Sequence, residues 1–197
     1  MTAMSKELAR VATEAARLGA EQLLPRFRDR SLRAETKAEH DLVSEADRAS
    51  ETAIVEFLQS RFPDHKILSE EAGAVGPGDA GYEWIVDPLD GTSNYLQGLP
   101  IWGISVACRQ GADVVAGAIY DPLGGNLFSA SRGSGAWWND EPMRVSEQRG
   151  LAGAFLATGY PFRARGALDT YLSIFRDVFL QARAIRRCGA ASLDLAY

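Results

Sequence analysis

The stretch Trp84-Ile85-Val86-Asp87-Pro88-Leu89-Asp90-Gly91-Thr92-Ser93-Asn94 decides how the rest of the chain is read. Its apolar start predicts a short buried strand that delivers Asp87 at its carboxyl end. Pro88 then fixes a turn, and Asp90 falls three residues after Asp87, able to face the same point. Gly91 and Thr92 follow, with backbone N–H groups placed to open a helix or a nest, a ready site for phosphate. Two carboxylates beside amide donors repel each other unless a cation lies between them. Hard oxygen ligands select Mg²⁺, which also bridges phosphate oxygens.

Two further acidic positions lie upstream. Glu70-Glu71 ends the strand-like run Ile67-Leu68-Ser69, and Asp47 stands in Asp41-Leu42-Val43-Ser44-Glu45-Ala46-Asp47. Each has a plain structural reading alone. Asp47 is three residues after Ser44 and would complete a capping box; Glu70-Glu71 would be a solvated strand end, and Asp87 a turn former before proline. Three acidic sites at element ends beside a Gly-Thr turn instead read together, as one metal and phosphate site.

Outward from this core the periodicity predicts an α+β chain. Lys6 to about Arg28 is helical, with Leu8, Val11, Ala15, Leu18 and Leu23 on one face, and Pro25 kinks or ends it. Asp29 to His40 is polar and aperiodic, a loop or exposed arm. Ser44 caps a second helix striped by Ala46, Ala49, Ile54 and Leu58, broken at Phe62-Pro63-Asp64. Strands follow at Lys66–Ser69 and Glu83–Asp87 around a Gly-rich loop, Gly73 to Gly81, with a polar turn from Pro88 to Asn94. Gly103–Cys108, Val114–Tyr120 and Asn126–Ala130 read as an antiparallel meander, and Trp137 to Pro142 as a hairpin with the tryptophans on opposite faces. Ala154–Ala157 and Ala182–Arg187 are strand candidates, Leu168–Gln181 a helix, and Gly189 to Ser192 a turn into another. His40 and His65 are expected in loops, Cys108 as a core thiol, and Cys188 near the pocket.

Composition narrows the function. The 197 residues suit one domain, and the net charge of −5, from 21 basic and 26 acidic side chains, disfavours a general nucleic-acid binder. Residues 1–159 carry 15 basic and 23 acidic groups, against 6 and 3 in residues 160–197, so the acidic body precedes a basic end. Neither a secretory signal nor a run of the ~20 apolar residues needed to cross a bilayer is visible. Two cysteines 80 positions apart supply neither a disulfide framework nor a zinc site, and a cytoplasmic protein is expected.

Asp87-Pro88-Leu89-Asp90-Gly91-Thr92-Ser93-Asn94 resembles the signature of the inositol monophosphatase family of Mg²⁺-dependent, lithium-sensitive phosphatases. Asp41-Leu42-Val43 with Asp47, Ser69-Glu70-Glu71-Ala72-Gly73, Gly133-Ser134-Gly135-Ala136, Ala157-Thr158-Gly159-Tyr160-Pro161-Phe162 and Arg186-Arg187-Cys188-Gly189-Ala190-Ala191 match in the family's order, so the resemblance runs from about Lys37 to Tyr197. It implies a layered αβαβα sandwich of the sugar-phosphatase type, with residues 1–150 as an N-terminal α+β half and 151–197 as the start of a C-terminal α/β half. It also implies a homodimer acting on a small phosphorylated polyol or sugar such as inositol 1-phosphate.

By the same resemblance, Glu70, Asp87 and the Leu89 carbonyl would hold a first Mg²⁺, Asp87 and Asp90 a second, and Asp47 a weaker third. Glu70 and Thr92, with Asp47 counted beside them, would orient and deprotonate the attacking water. Gly91 and Thr92 amides would cradle the phosphate, with Glu70, Leu89 and Asp90 also facing the substrate. Gly189, Ala190 and Ala191 would line the substrate pocket, and Lys37 would sit on a mobile arm.

The sequence departs from the family at Ser93, where threonine is frequent, and at Ala190-Ala191, which lacks a hydroxyl often found there. The family's Trp-Asp-x-Ala-Ala-Gly segment would lie beyond Tyr197, so the C-terminal part is expected to be incomplete and this chain catalytically impaired. Other readings remain beside it: fructose-1,6-bisphosphatase, histidinol-phosphate phosphatase or 3′-nucleotide phosphatase with the same metal cradle, or an inactive fragment kept for binding. A haloacid-dehalogenase-type phosphatase is disfavoured, because its two aspartates stand two residues apart rather than three.

Overall fold

In the computed structural model, which describes residues 2–29, 34–38, 41–70, 72–77, 81–162 and 164–197, helix α1 runs Thr2–Leu23. Leu8, Val11, Ala15 and Leu23 of its stripe are fully buried. Pro25 sits in a 3₁₀ turn, Leu24–Arg26, where a ring without an N–H stops the α-helical ladder. Strands β1 (Ala34–Ala38) and β2 (Asp41–Ser44) pair antiparallel. The segment expected to be a loop is therefore a strand over part of its length, because pairing with β2 supplies order that an aperiodic polar sequence does not advertise. His40 lies outside the described residues.

Helix α2, Glu45–Arg61, opens on the capping box foreseen at Ser44: the Ser44 N–H donates to Asp47 Oδ2 at 3.0 Å, and the Asp47 N–H to Ser44 Oγ at 3.4 Å. Its buried face carries Ala46, Ile54 and Leu58, and also Asp47, Ser50 and Glu51. The two helices meet at Gly19, where a Cβ would come within 2.7 Å of Ile54 Cδ1 and of Ser50 Oγ. Only glycine allows that approach.

The chain then lays down β3 (Lys66–Ser69), β4 (Gly73–Val75), β5 (Tyr82–Asp90), helix α3 (Thr92–Leu96), β6 (Gly103–Gln110), β7 (Asp113–Asp121), β8 (Asn126–Ser131), β9 (Gly135–Trp138) and β10 (Glu141–Met143). These strands form one sheet in the order β10-β9-β8-β7-β6-β5-β3-β4, parallel only between β3 and β5. The expected meander is β6–β8. The expected hairpin is β9–β10, turned through Asn139 and Asp140, whose φ angles of 47° and 70° suit a tight two-residue turn. Trp138 packs on Phe128 with ring centres 5.3 Å apart, while Trp137 faces Lys6 and Arg10 of α1.

Two expectations need correction. The Gly-rich loop contains β4. The turn expected from Pro88 begins only after Asp90, because β5 stays paired to β6 that far. His65 lies in the connection before β3, as expected, and is buried there, stacked between Phe62 (4.5 Å) and Tyr82 (5.0 Å), with its Nδ1 accepting from the Trp84 indole N–H at 3.1 Å.

Helices α1 and α2 cover one face of the sheet and enclose a core that includes Trp84, Val86, Ile104, Val106 and Cys108. Beyond it, β11 (Phe155–Ala157) and β12 (Ala184–Arg186) pair in parallel through helix α4 (Leu168–Phe179), and α5 (Ala191–Ala196) follows. The class is the mixed α+β expected. Leu168, Leu172 and Phe179 of α4 are about half exposed. No described helix is long and apolar enough to cross a membrane.

Candidate active site

A strand alternates its side chains, so Asp87 and Asp90, three residues apart, would ordinarily point to opposite faces of β5. The register prevents this. Asp87 pairs with Ser105 and Asp90 with Gly103, so three steps on β5 stand against two on β6. The extra residue is a bulge across Pro88-Leu89, and it returns Asp90 to the face that carries Asp87. The neighbouring strand brings a third acid. Ser69 pairs with Val86 in the parallel β3–β5 ladder, and the Glu70 N–H donates to the Val86 carbonyl at 3.3 Å, which sets Glu70 beside Asp87. Glu70, Asp87 and Ser105 line a cavity of about 430 Å³. A larger one, about 660 Å³, lies over β6–β8; Arg132 is its one charged lining residue, and it includes none of the expected site residues.

The polar face of α2 braces this edge. Thr92 Oγ1 lies 3.1 Å from Asp47 Oδ1 and 3.0 Å from the Leu89 carbonyl, so its single proton is offered to one or the other. The cap reading of Asp47 holds, and its two carboxylate oxygens divide: one caps α2 while the other faces Thr92. Ser50 Oγ donates to the Pro88 carbonyl at 2.9 Å, tying down the bulge. Glu51 Oε1 accepts from Ser69 Oγ and from the Ala72 N–H at 2.9 Å, tying the Ser69 side chain before Glu70 to the backbone at Ala72 after it. Sequence reasoning missed Ser50 and Glu51. A capped helix whose apolar stripe is interrupted by Asp47, Ser50 and Glu51 on one flank was the available signal.

Asp87 carries the clearest electrostatic mark. Burial, then the charges of Glu70 and Asp90, push its carboxyl up to about 8 against the N–H of Leu89, which donates to Oδ1 at 3.2 Å. Burial also raises Asp47, opposed by its bonds from Ser44 and Thr92. Among the described residues, no three His, Cys, Asp or Glu side chains form a ready-made metal-binding group. Asp47 is turned to Ser44 and Thr92, and Asp90 to Ser192. The donor set nevertheless fits a hard cation, because a half-buried carboxyl among like charges ionises fully at neutral pH only with positive charge beside it.

Gly91 caps α3 with φ 93°, and a Cβ there would sit 3.0 Å from the Ile101 carbonyl and 3.2 Å from Ala190 Cβ. Ala190 is fully buried, and Gly189 has φ 95°, so the segment expected to line the pocket does border the Asp90–Thr92 turn. Lys37 lies in β1, so the expected arm is in part a strand, and Glu71 is outside the described residues. Cys108 is buried, which pushes its thiol up to about 12. Burial and Asp194 raise Cys188, which keeps it a thiol at neutral pH.

With this geometry in place, comparison with known proteins gives a consistent result. The sequence profile of the inositol monophosphatase family matches residues 4–197. The chain is 46% identical over 161 residues to the Nus factor SuhB of Pseudomonas aeruginosa, covering 80% of this chain and 59% of that protein. It is 42% identical over 161 residues to the fructose-1,6-bisphosphatase/inositol-1-monophosphatase of Aquifex aeolicus, covering 82% of this chain and 61% of that one. The extragenic suppressor protein suhB of Bartonella henselae superposes with a TM-score of 0.87 at 38% identity, over 99% of this chain and 74% of that chain. The chain spans about 60% of the length of the curated relatives it matches.

Proposed function

Because the chain belongs to the inositol monophosphatase family, we propose that it serves as a Mg²⁺-dependent phosphomonoesterase acting on inositol 1-phosphate or a related small sugar or polyol phosphate. The observation that carries this reading is the bulge in β5, which turns Asp87 and Asp90 to one face beside Glu70. Glu70, Asp87, the Leu89 carbonyl and Asp90 would hold two Mg²⁺ ions, and Asp47 a third. Bound Mg²⁺ supplies charge for the attacking and leaving oxygens and lowers the pKa of water.

The chain's own groups do the rest. Glu70, at the end of β3, orients the attacking water and takes its proton. The Thr92 hydroxyl, poised between Asp47 Oδ1 and the Leu89 carbonyl, keeps its proton in a hydrogen bond to one of them and so turns a lone pair to accept a hydrogen bond from that water. The Gly91 and Thr92 amides bind the phosphoryl oxygens, and the glycine admits the phosphate close to the backbone. Gly189 and Ala191 face the substrate's hydroxylated ring with the buried Ala190 packed behind them against Gly91, and the Lys37 arm covers the site.

Phosphate release from inositol 1-phosphate, fructose 1,6-bisphosphate, histidinol phosphate and a nucleoside 3′-phosphate, each with and without EDTA, is the test. Activity that survives chelation rules out the metal assignment. A preference within the panel selects the substrate.

A further inference from the structure

Asp90 is gripped from an unexpected quarter. The Ser192 N–H and the Ser192 hydroxyl both donate to Asp90 Oδ2, each at 2.6 Å, across 102 positions of sequence. Both distances are at the short, charge-assisted end of the hydrogen-bond range. Two neighbouring contacts continue the same seam. Gly91 backs onto Ala190, and Asn94 Nδ2 donates to the Cys188 carbonyl at 2.9 Å and to the Ile101 carbonyl at 2.8 Å. Residues 90, 91 and 94 therefore run antiparallel to 192, 190 and 188. The hydroxyl missing at Ala190-Ala191 stands at the next position and faces an acid of the site.

We propose that Ser192 is a positioning residue that makes Asp90 a one-oxygen ligand: its two donors occupy Oδ2 and leave Oδ1 as the oxygen turned to a divalent cation. This rests on the metal reading above. A free carboxylate at the end of a bulge rotates about χ2, and a cation must then supply the cost of ordering it. With Ser192 in place that ordering is already made. The latch also joins the Gly189–Ala191 wall to the metal-binding acid, so the wall and the cation site keep one geometry.

The test is Mn²⁺ binding to the 197-residue chain, read by electron paramagnetic resonance and calorimetry without substrate. Removing one hydrogen bond to a charged group predicts a Kd about tenfold weaker in Ser192→Ala. Ser192→Thr, which keeps the hydroxyl, should stay near the unsubstituted value, and the melting curves of all three should agree. An unchanged or tighter Kd in Ser192→Ala overturns the proposal, the tighter result meaning that the hydroxyl competes with the cation for Asp90. A Ser192→Thr value equal to that of Ser192→Ala overturns it as well. Asp90→Asn separates the two levels. If Asp90→Asn leaves the number and affinity of bound Mn²⁺ ions unchanged, or if the unsubstituted chain binds no Mn²⁺, the metal reading at Asp90 falls and the proposal with it. If Asp90→Asn loses or weakens one bound ion and Ser192→Ala does not weaken it, the Ser192 assignment alone is wrong.

Discussion

Replacing Gly91 by alanine tests how tightly the Asp90–Thr92 turn is built. Two costs act together. The backbone at φ 93° is a conformation that an L side chain enters at about 1–2 kcal/mol. The new methyl would also press on the Ile101 carbonyl at 3.0 Å, Ala190 Cβ at 3.2 Å and Trp102 Cα at 3.3 Å, and overpacking a fixed site adds about 1–3 kcal/mol. The expected loss is about 2–5 kcal/mol, a large part of a domain's ~5–15 kcal/mol stability. Gly111→Ala supplies the reference, since Gly111 has φ 60° and a methyl there would meet nothing within 4 Å. Both variants bear the positive-φ cost, so urea unfolding with m unchanged should place Gly91→Ala below Gly111→Ala by the overpacking cost alone, about 0.5–1.5 M at a slope of ~2 kcal/mol/M. Equal midpoints would refute the close packing of Gly91 against the Ile101 carbonyl and the Ala190 methyl, and with it the packing reason for glycine there.

Asp90→Asn should lower phosphate release by orders of magnitude while leaving the circular dichroism unchanged, since it removes charge and hardly alters volume. Glu70→Gln should cost more activity than Glu71→Gln; equal losses in a phosphatase assay would reverse the choice of metal-side glutamate. His65 is held neutral, its Nδ1 accepting from Trp84, and burial lowers its pKa below 6.5, opposed by Asp64. Its proton therefore favours the unfolded chain: the stabilisation is complete above pH ~6.5 and declines as pH falls below that value. Denaturation of the unsubstituted chain and of His65→Gln between about pH 5 and 8 should show a difference that shrinks toward acid, and a constant difference would show that His65 does not titrate on unfolding. Glu51→Gln should reduce activity more than it reduces stability, by loosening the Ser69–Ala72 turn around Glu70, as a joint urea and kinetic measurement will read.

Local signals made much of this protein legible. Ser44 and Asp47 announced the α2 cap, Pro25 the end of α1, and the alternation and turn residues between Gly103 and Ala130 the meander. In each case the physics acts within a few residues: a cap bonds its own first turn, a proline stops its own helix, and alternation records which face of a strand is dry. The short polar strand β1 was not legible, because its order comes from β2. Nor was the burial of His65, which depends on Phe62, Tyr82 and Trp84 closing around it.

The sequence by itself singled out the candidate site residues: Glu70, Asp87, Asp90 and Thr92 stood out by type and by place at element ends. Tertiary structure decided how they meet. A three-residue spacing on a strand would have split Asp87 from Asp90, and the bulge against Ser105 and Gly103 put them on one face. Pairing of β3 with β5 set Glu70 beside them, and α2 reached across with Asp47, Ser50 and Glu51. Ser192 came to Asp90 from 102 residues away. Such contacts depend on register and on chain crossing, which are settled by the packing of whole elements, and no periodicity in the neighbourhood of a residue encodes its partner on another strand.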